Sequence, residues 1–237
     1  SSGGDTLIKK TLLLCQKKGV TKGNFNVLLE KNIPVAGGLG GGSANSAAII
    51  RYFVKHKYNL DRNNTQKFAK SIGADVPACI YSKPVLMTGI GEKLKFIKIK
   101  NNIDVGIVLV NPQVQISTEQ VFKNVTLTEK QSIEKKVLEI NSVKDFYRIH
   151  KIGNGLKESA LRVAPEIRNT LKLFENIDDC VCSGMSGSGP TCYGIFDSRK
   201  KAFFFEKKVK KIISDRSLWT WSGGLLLNSN RKFILPI

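Results

Sequence analysis

Three stretches of this sequence carry residue types whose spacing could support chemistry. In Gly37-Gly38-Leu39-Gly40-Gly41-Gly42, five of six residues lack a Cβ, so the backbone reaches positive φ freely and its amides can approach a ligand. The run leads into Ser43, Ala44, Asn45, Ser46, Ala47 and Ala48, small residues suited to a helix start, with Ser43 placed to cap it. Amides converging at a helix N-terminus favour phosphate, through their unpaired N–H groups and the dipole. The stretch therefore reads as a cradle for a nucleotide triphosphate. No lysine follows the glycines as a Walker loop requires, and Ser43 or Asn45 falls where a dinucleotide fingerprint needs its last glycine. The plainer alternative is a flexible linker, but a strand-like run and an alanine-rich helix start flank the glycines.

The second stretch is Gly73-Ala74-Asp75-Val76-Pro77, whose aspartate is one of five acidic residues among the first hundred. Local sequence leaves two readings level. Asp75 is the N-cap of a short helix with Pro77 in its first turn, or it is a carboxylate that takes a proton from a substrate hydroxyl. The third stretch, Gly184-Met185-Ser186-Gly187-Ser188-Gly189-Pro190-Thr191, lies between two strand-like runs. It is either a mobile hairpin loop or a second anion nest.

Elements that could position these stretches follow from periodicity. Asp5 can cap a helix with the stripe Leu7, Ile8, Leu12, Leu14 and Cys15, stopped by Gly19. Phe25, Val27 and Leu29 alternate as in a strand that delivers the chain to Pro34. After the helix that follows the glycines, another is expected from Leu60-Asp61 to Gly73, then strands at 84–88 and 94–99 about the turn Gly89-Ile90-Gly91-Glu92. Asn101-Asn102 is the expected domain boundary, dividing 1–101 from 102–237. Beyond it come an apolar strand from Ile103 to Val110 and a short helix that Thr118 could cap. A capping box at Thr128–Gln131 opens a helix through Ile140, and further helices cover 142–150, 156–163 and 165–174. Strands around 179–182, 193–196 and 219–221, with a lysine-rich helix at 200–211, complete an α+β second half of ferredoxin-like type.

Composition narrows the function. The 237 residues, 41% hydrophobic and 24% charged, can bury a substantial core. No apolar run is long enough to span a bilayer and residues 1–5 carry no signal-peptide pattern, so a cytoplasmic location is expected. Five scattered cysteines without Cys-x-x-Cys spacing are expected to be reduced thiols, and His56 and His150 to be surface histidines. The net charge of +19 draws polyanions. Lys93, Lys95, Lys98 and Lys100 alternate without aromatic platforms, so they are read as a wet strand face, with no nucleic-acid and no membrane partner expected.

Pro34-x-x-x-Gly38-Leu39-Gly40 followed by Gly41-Gly42-Ser43-Ala44 resembles the second motif of the GHMP kinases, and Gly73-Ala74-Asp75-Val76-Pro77, the Gly-x-Gly-Glu turn and Ser186-Gly187-Ser188-Gly189-Pro190-Thr191 are similar to further family motifs in order. The triple glycine before Ser43, with Asn45 two residues on, narrows the likeness to members that phosphorylate a cytidyl diphosphate sugar alcohol. The resemblance implies a two-domain fold, with a ribosomal-protein-like N-terminal domain and a ferredoxin-like C-terminal domain. It implies ATP and Mg²⁺ as cofactors, a small-molecule acceptor, and a monomer or homodimer. It assigns ATP binding to Pro34, Val35, Ala36, Gly37, Gly38, Leu39, Gly40, Gly41, Gly42, Ser43 and Ala44, the catalytic base to Asp75, and acceptor binding to Thr118, Gly187 and Ser188. No metal ligand is assigned. The sequence departs from the family at Ala44, where a second serine is usual, and the family's opening strands have no counterpart in it, so the first domain is expected to be incomplete. Alternatives are a homoserine- or mevalonate-type kinase of the same family, an inactive nucleotide-binding fragment, or a basic nucleic-acid binder.

Overall fold

Of the 237 residues, the computed structural model describes 6–60, 62–89, 91, 93–100, 103–125, 138–212 and 218–225. They fall into two compact units. One comprises the described residues up to Lys31 together with Gly40–Ile97; the other comprises Asn32–Leu39 and the described residues from Lys98 onward. The units divide between Ile97 and Lys98, whereas the expected boundary at Asn101-Asn102 lies outside the described residues.

The first unit packs α1 (Thr6–Lys17), α2 (Gly41–Lys55), α3 (Arg62–Ile72) and α4 (Val76–Tyr81) around Cys15, Ala47, Ile50, Phe53, Ala69, Ile72, Val76 and Ile80. Small residues let α1 and α2 approach: buried Thr11 donates to Leu7 O and lies 2.9 Å from the Ser46 hydroxyl. Two cations stop helices by holding their last carbonyls, with Lys10 Nζ 2.7 Å from Ile72 O on α3 and the Arg51 guanidinium 2.7 Å from Cys79 O on α4. Gly19, at φ +68°, ends α1 as its position in the sequence suggests. A hairpin of β1 (Val85–Thr88) and β2 (Lys93–Phe96) follows α4.

Residues 24–30 correct the expected strand. They form no regular element, and no described strand pairs with them; Phe25 packs edge-on to Phe53 at 5.2 Å, while Leu28 is 98% exposed. Alternation describes a face, and a strand also needs a hydrogen-bonding neighbour. The expected strand at 94–99 is likewise broken at Ile97. Its second piece, β3 (Lys98–Ile99), pairs in the other unit with β5 (Glu139–Ile140), so the helix expected through Ile140 ends as strand there; the rest of that helix lies outside the described residues.

The second unit is built on an antiparallel sheet ordered β6-β7-β4-β8, from β4 (Gly106–Asn111), β6 (Cys180–Met185), β7 (Cys192–Phe196) and β8 (Trp219–Gly224). Its first strand lies between the third and fourth, the split β-α-β-β-α-β order of a ferredoxin-like domain. On one face α5 (Thr118–Lys123), α7 (Lys157–Val163), α8 (Glu166–Lys172) and α9 (Arg199–Ile212) cover a core of Val108, Val110, Ile167, Phe174, Phe196 and Phe205. On the other, Val105, Cys182 and Ile195 meet Phe146 of α6 (Lys144–His150). All five cysteines are free, and burial pushes the thiols of Cys15, Cys182 and Cys192 up to about 12. These three are buried packing residues. His56 is exposed; His150 is half-buried against Tyr147. Among the described residues no helix is long and apolar enough to cross a membrane.

Candidate functional site

The first glycine run leads into a helix as expected, with one correction to its cap. Helix α2 begins at Gly41, and its N-cap is Gly40 in the left-handed region (φ +66°, ψ 19°), with no side chain capping it. Ser43 therefore sits inside the first turn instead of ahead of it, because the left-handed turn at Gly40 starts the helix earlier than a serine cap would. No hydrogen bond to a described residue occupies the main-chain amides from Gly38 to Ser43. A helix end bare of side chains, preceded by glycine, can place those donors against anionic oxygens.

Residues 32–39 belong to the second unit and are fastened to the β6–β7 loop. Ser186 Oγ donates to Gly38 O at 2.8 Å, and Trp219 Nε1 donates to Asn32 O at 3.2 Å. Gly38 has φ +70°, and a Cβ there would lie 2.5 Å from Ser186 O and 2.6 Å from Gly189 O, so no other residue fits. Behind Gly37 lies a buried pair in which Asn111 Nδ2 donates to Thr191 Oγ1 at 2.7 Å. Sequence reasoning missed Asn111, Thr191 as a partner, Asn154 and Trp219. None lies in a glycine-rich stretch except Thr191, and the chain separation hides the pairings.

The β6–β7 loop gathers the expected acceptor-side residues. Thr118 Oγ1 and Ser188 Oγ lie 3.1 Å apart. Thr118 does not cap α5; Ser117 does, its Oγ accepting from Gln120 N. Thr118 is thereby left to meet Ser188. Within the loop Ser186 N donates to Thr191 O and Gly189 N to Ser186 O, both at 2.9 Å, while the amides of Gly187 and Ser188 have no partner among the described residues. Asn154 holds the loop from outside, its Nδ2 donating to Met185 O at 2.9 Å and to Gly187 O at 2.8 Å.

Asp75 occupies the N-cap position of α4, but its backbone is helical (φ −84°, ψ −14°), and it makes no capping hydrogen bond. The residue is exposed, followed by buried Val76 and Pro77. Capping thus does not account for it, and among the described residues no cation pairs with it. Its charge acts on Cys79, whose thiol is raised first by burial and then by Asp75. The β1–β2 turn props up the preceding peptide: Gly91, at φ +98°, comes so close that a Cβ would lie 2.5 Å from Ala74 O. Among the described residues no three His, Cys, Asp or Glu side chains cluster to hold a metal. A groove of about 420 Å³ lined by Lys9, Lys10, Leu13, Leu14, Lys17 and Ser71 contains none of these residues.

The GHMP kinases N terminal domain profile matches residues 6–83, and the GHMP kinases C terminal profile matches 135–214. The 4-diphosphocytidyl-2-C-methyl-D-erythritol kinase of Wolbachia sp. subsp. Brugia malayi is 38% identical over 84% of this chain and 67% of that protein. The enzyme of the same name from Roseobacter denitrificans is 32% identical over 99% of this chain and 76% of that protein. A crystal structure of a 4-(cytidine 5′-diphospho)-2C-methyl-D-erythritol kinase shares the fold with a TM-score of 0.70 at 21% identity, over 94% of this chain and 80% of that one. A homoserine kinase from Cytophaga hutchinsonii also shares it, with a TM-score of 0.65 at 14% identity, over 92% and 75% of the two chains.

Proposed function

The chain belongs to the GHMP kinases, small-molecule phosphotransferases, and on that premise we propose that it transfers the γ-phosphoryl group of ATP to the 2-hydroxyl of 4-diphosphocytidyl-2-C-methyl-D-erythritol, a step of the non-mevalonate isoprenoid pathway. The observation that carries this choice of acceptor is the 38% identity, over 84% of this chain, to a kinase of that name.

In the proposed reaction ATP is used as its Mg²⁺ complex. The unpartnered amides from Gly38 to Ser43 take its phosphate oxygens, assisted by the residues assigned with them from Pro34 to Ala44. Their dipoles are fixed before the ligand arrives, so they offset charge without reorganising. The Asp75 carboxylate orients the acceptor hydroxyl and takes its proton as the oxygen bonds to the γ-phosphorus and the bond to the β-phosphate oxygen breaks, releasing ADP. That Asp75 is exposed at a cap position and makes no capping hydrogen bond supports this role. Thr118, Gly187 and Ser188 hold the acceptor through two hydroxyls and the two free amides. Incubating the purified chain with ATP, Mg²⁺ and the cytidyl substrate should release ADP in step with substrate loss. Phosphorylation of homoserine with no reaction of the cytidyl compound would overturn the assignment.

A further inference from the structure

Asn154 is half-buried and stands three residues before α7. Its Oδ1 accepts from Leu156 N at 2.9 Å, which fixes the orientation of the amide and turns its two N–H donors toward Met185 O and Gly187 O. A trans peptide points its C=O and the following N–H in opposite directions. Holding Met185 O therefore aims Ser186 N–H away from Asn154, and that donor is taken by Thr191 O at 2.9 Å. Holding Gly187 O aims Ser188 N–H away in the same manner, and among the described residues that donor has no acceptor. The Ser188 hydroxyl beside it is joined to Thr118. Gly187, with φ +54° and exposed, places no barrier of its own to turning its peptide over.

We propose that Asn154 is the positioning residue of the β6–β7 loop: by occupying two carbonyls it keeps the Ser188 amide directed at a phosphate oxygen of the acceptor. Without it the Gly187 peptide is free to present its carbonyl to the ligand, replacing an attraction with a repulsion. The inference rests on the kinase reading for the identity of the ligand, but not for the geometry. Asn154→Asp keeps the shape and replaces the donor with a carboxylate that repels both carbonyls.

The test follows the Ser188 amide resonance of the chain by NMR during titration with pyrophosphate, and in parallel the steady-state kinetics with ATP and the cytidyl substrate. Wild-type protein should show a pyrophosphate-dependent shift of that amide which Asn154→Asp lacks, and the variant's KM for the cytidyl substrate should rise about tenfold or more, with kcat and the KM for ATP within about threefold, as expected for loss of one hydrogen bond to a charged group. Asn154→Ser, which keeps a single donor, should fall between the two. A shift of the Ser188 amide in Asn154→Asp equal to that of wild type overturns the proposal, as does a uniform loss of kcat with no change in KM. Should wild-type protein not turn over the cytidyl substrate, the kinase reading fails by itself, and the pyrophosphate titration still decides the role of Asn154.

Discussion

The two glycine-rich loops look alike as sequence and are built on different plans. At the start of α2 the backbone is bare: Gly40 caps the helix in a left-handed conformation, no side chain helps, and nothing lies within 4 Å of where its Cβ would be. Between β6 and β7 the loop is netted by side chains, with Asn154 on two carbonyls, Thr118 on Ser188 and Ser186 reaching Gly38. One arrangement leaves a row of donors open by using glycine in place of a side-chain cap, at a cost of roughly a few tenths of a kcal/mol. The other uses fixed side chains to choose which donor stays open. The anion binding proposed for both loops needs unpartnered amides, and the two loops reach that condition from opposite directions.

The largest effect separates chemistry from both loops. Asp75→Asn should lower turnover by on the order of a thousandfold while ATP affinity, followed by calorimetry, stays within about twofold; unchanged turnover would remove Asp75 from the reaction. Next, the comparison can be broken at matched glycines. Gly38 and Gly40 have nearly the same φ, +70° and +66°, so alanine at either costs about 1–2 kcal/mol from left-handed strain. Only at Gly38 does the new methyl also overlap backbone oxygens, and overpacking should raise its loss to about 3 kcal/mol or more. Equal denaturation midpoints for the two variants would show that the Gly38 contact is not rigid. A smaller change comes from Gly40→Asp, which places a carboxylate beside the open amides. Its expected signature is a roughly tenfold weaker ATP affinity, read by the same calorimetry, with a loss of stability no larger than the about 1–2 kcal/mol of Gly40→Ala, because both share the left-handed strain.

The smallest effect lies away from both loops. Glu206 is buried on α9, paired with Lys210 at 2.7 Å, and accepts from Thr220 and Ser222. Burial opposes its ionisation, but the Lys210 ammonium and the two hydroxyls hold its carboxyl below the usual range. A depressed folded-state value means this stabilisation is complete above the ordinary glutamate value and fades as pH falls through the depressed one. Melting temperatures of wild type and Glu206→Gln should therefore converge on acidification; a constant gap would place the stabilisation outside this charge.

Much of the positioning framework was legible along the chain. Helix α1 and its glycine stop, α3 ending before Gly73, the proline-started α4 and the positions of the strands in the second unit follow from periodicity and punctuation, which are local properties. The segment at 24–30 was not, because alternation cannot supply a hydrogen-bonding partner. Nor was the cap of α2: sequence favours serine, and the left-handed turn at Gly40 overrode that preference.

By itself the sequence determined the chemistry that is available: glycines where amides must be uncovered, an aspartate among small residues, and hydroxyls at Thr118 and Ser188. Tertiary structure alone decided how those groups are held. Asn111 meets Thr191 across 80 positions, Ser186 meets Gly38 across 148, and Asn154 meets Gly187 across 33. Such pairings arise because sheet order and helix packing bring distant segments within hydrogen-bond range, and no local periodicity encodes them.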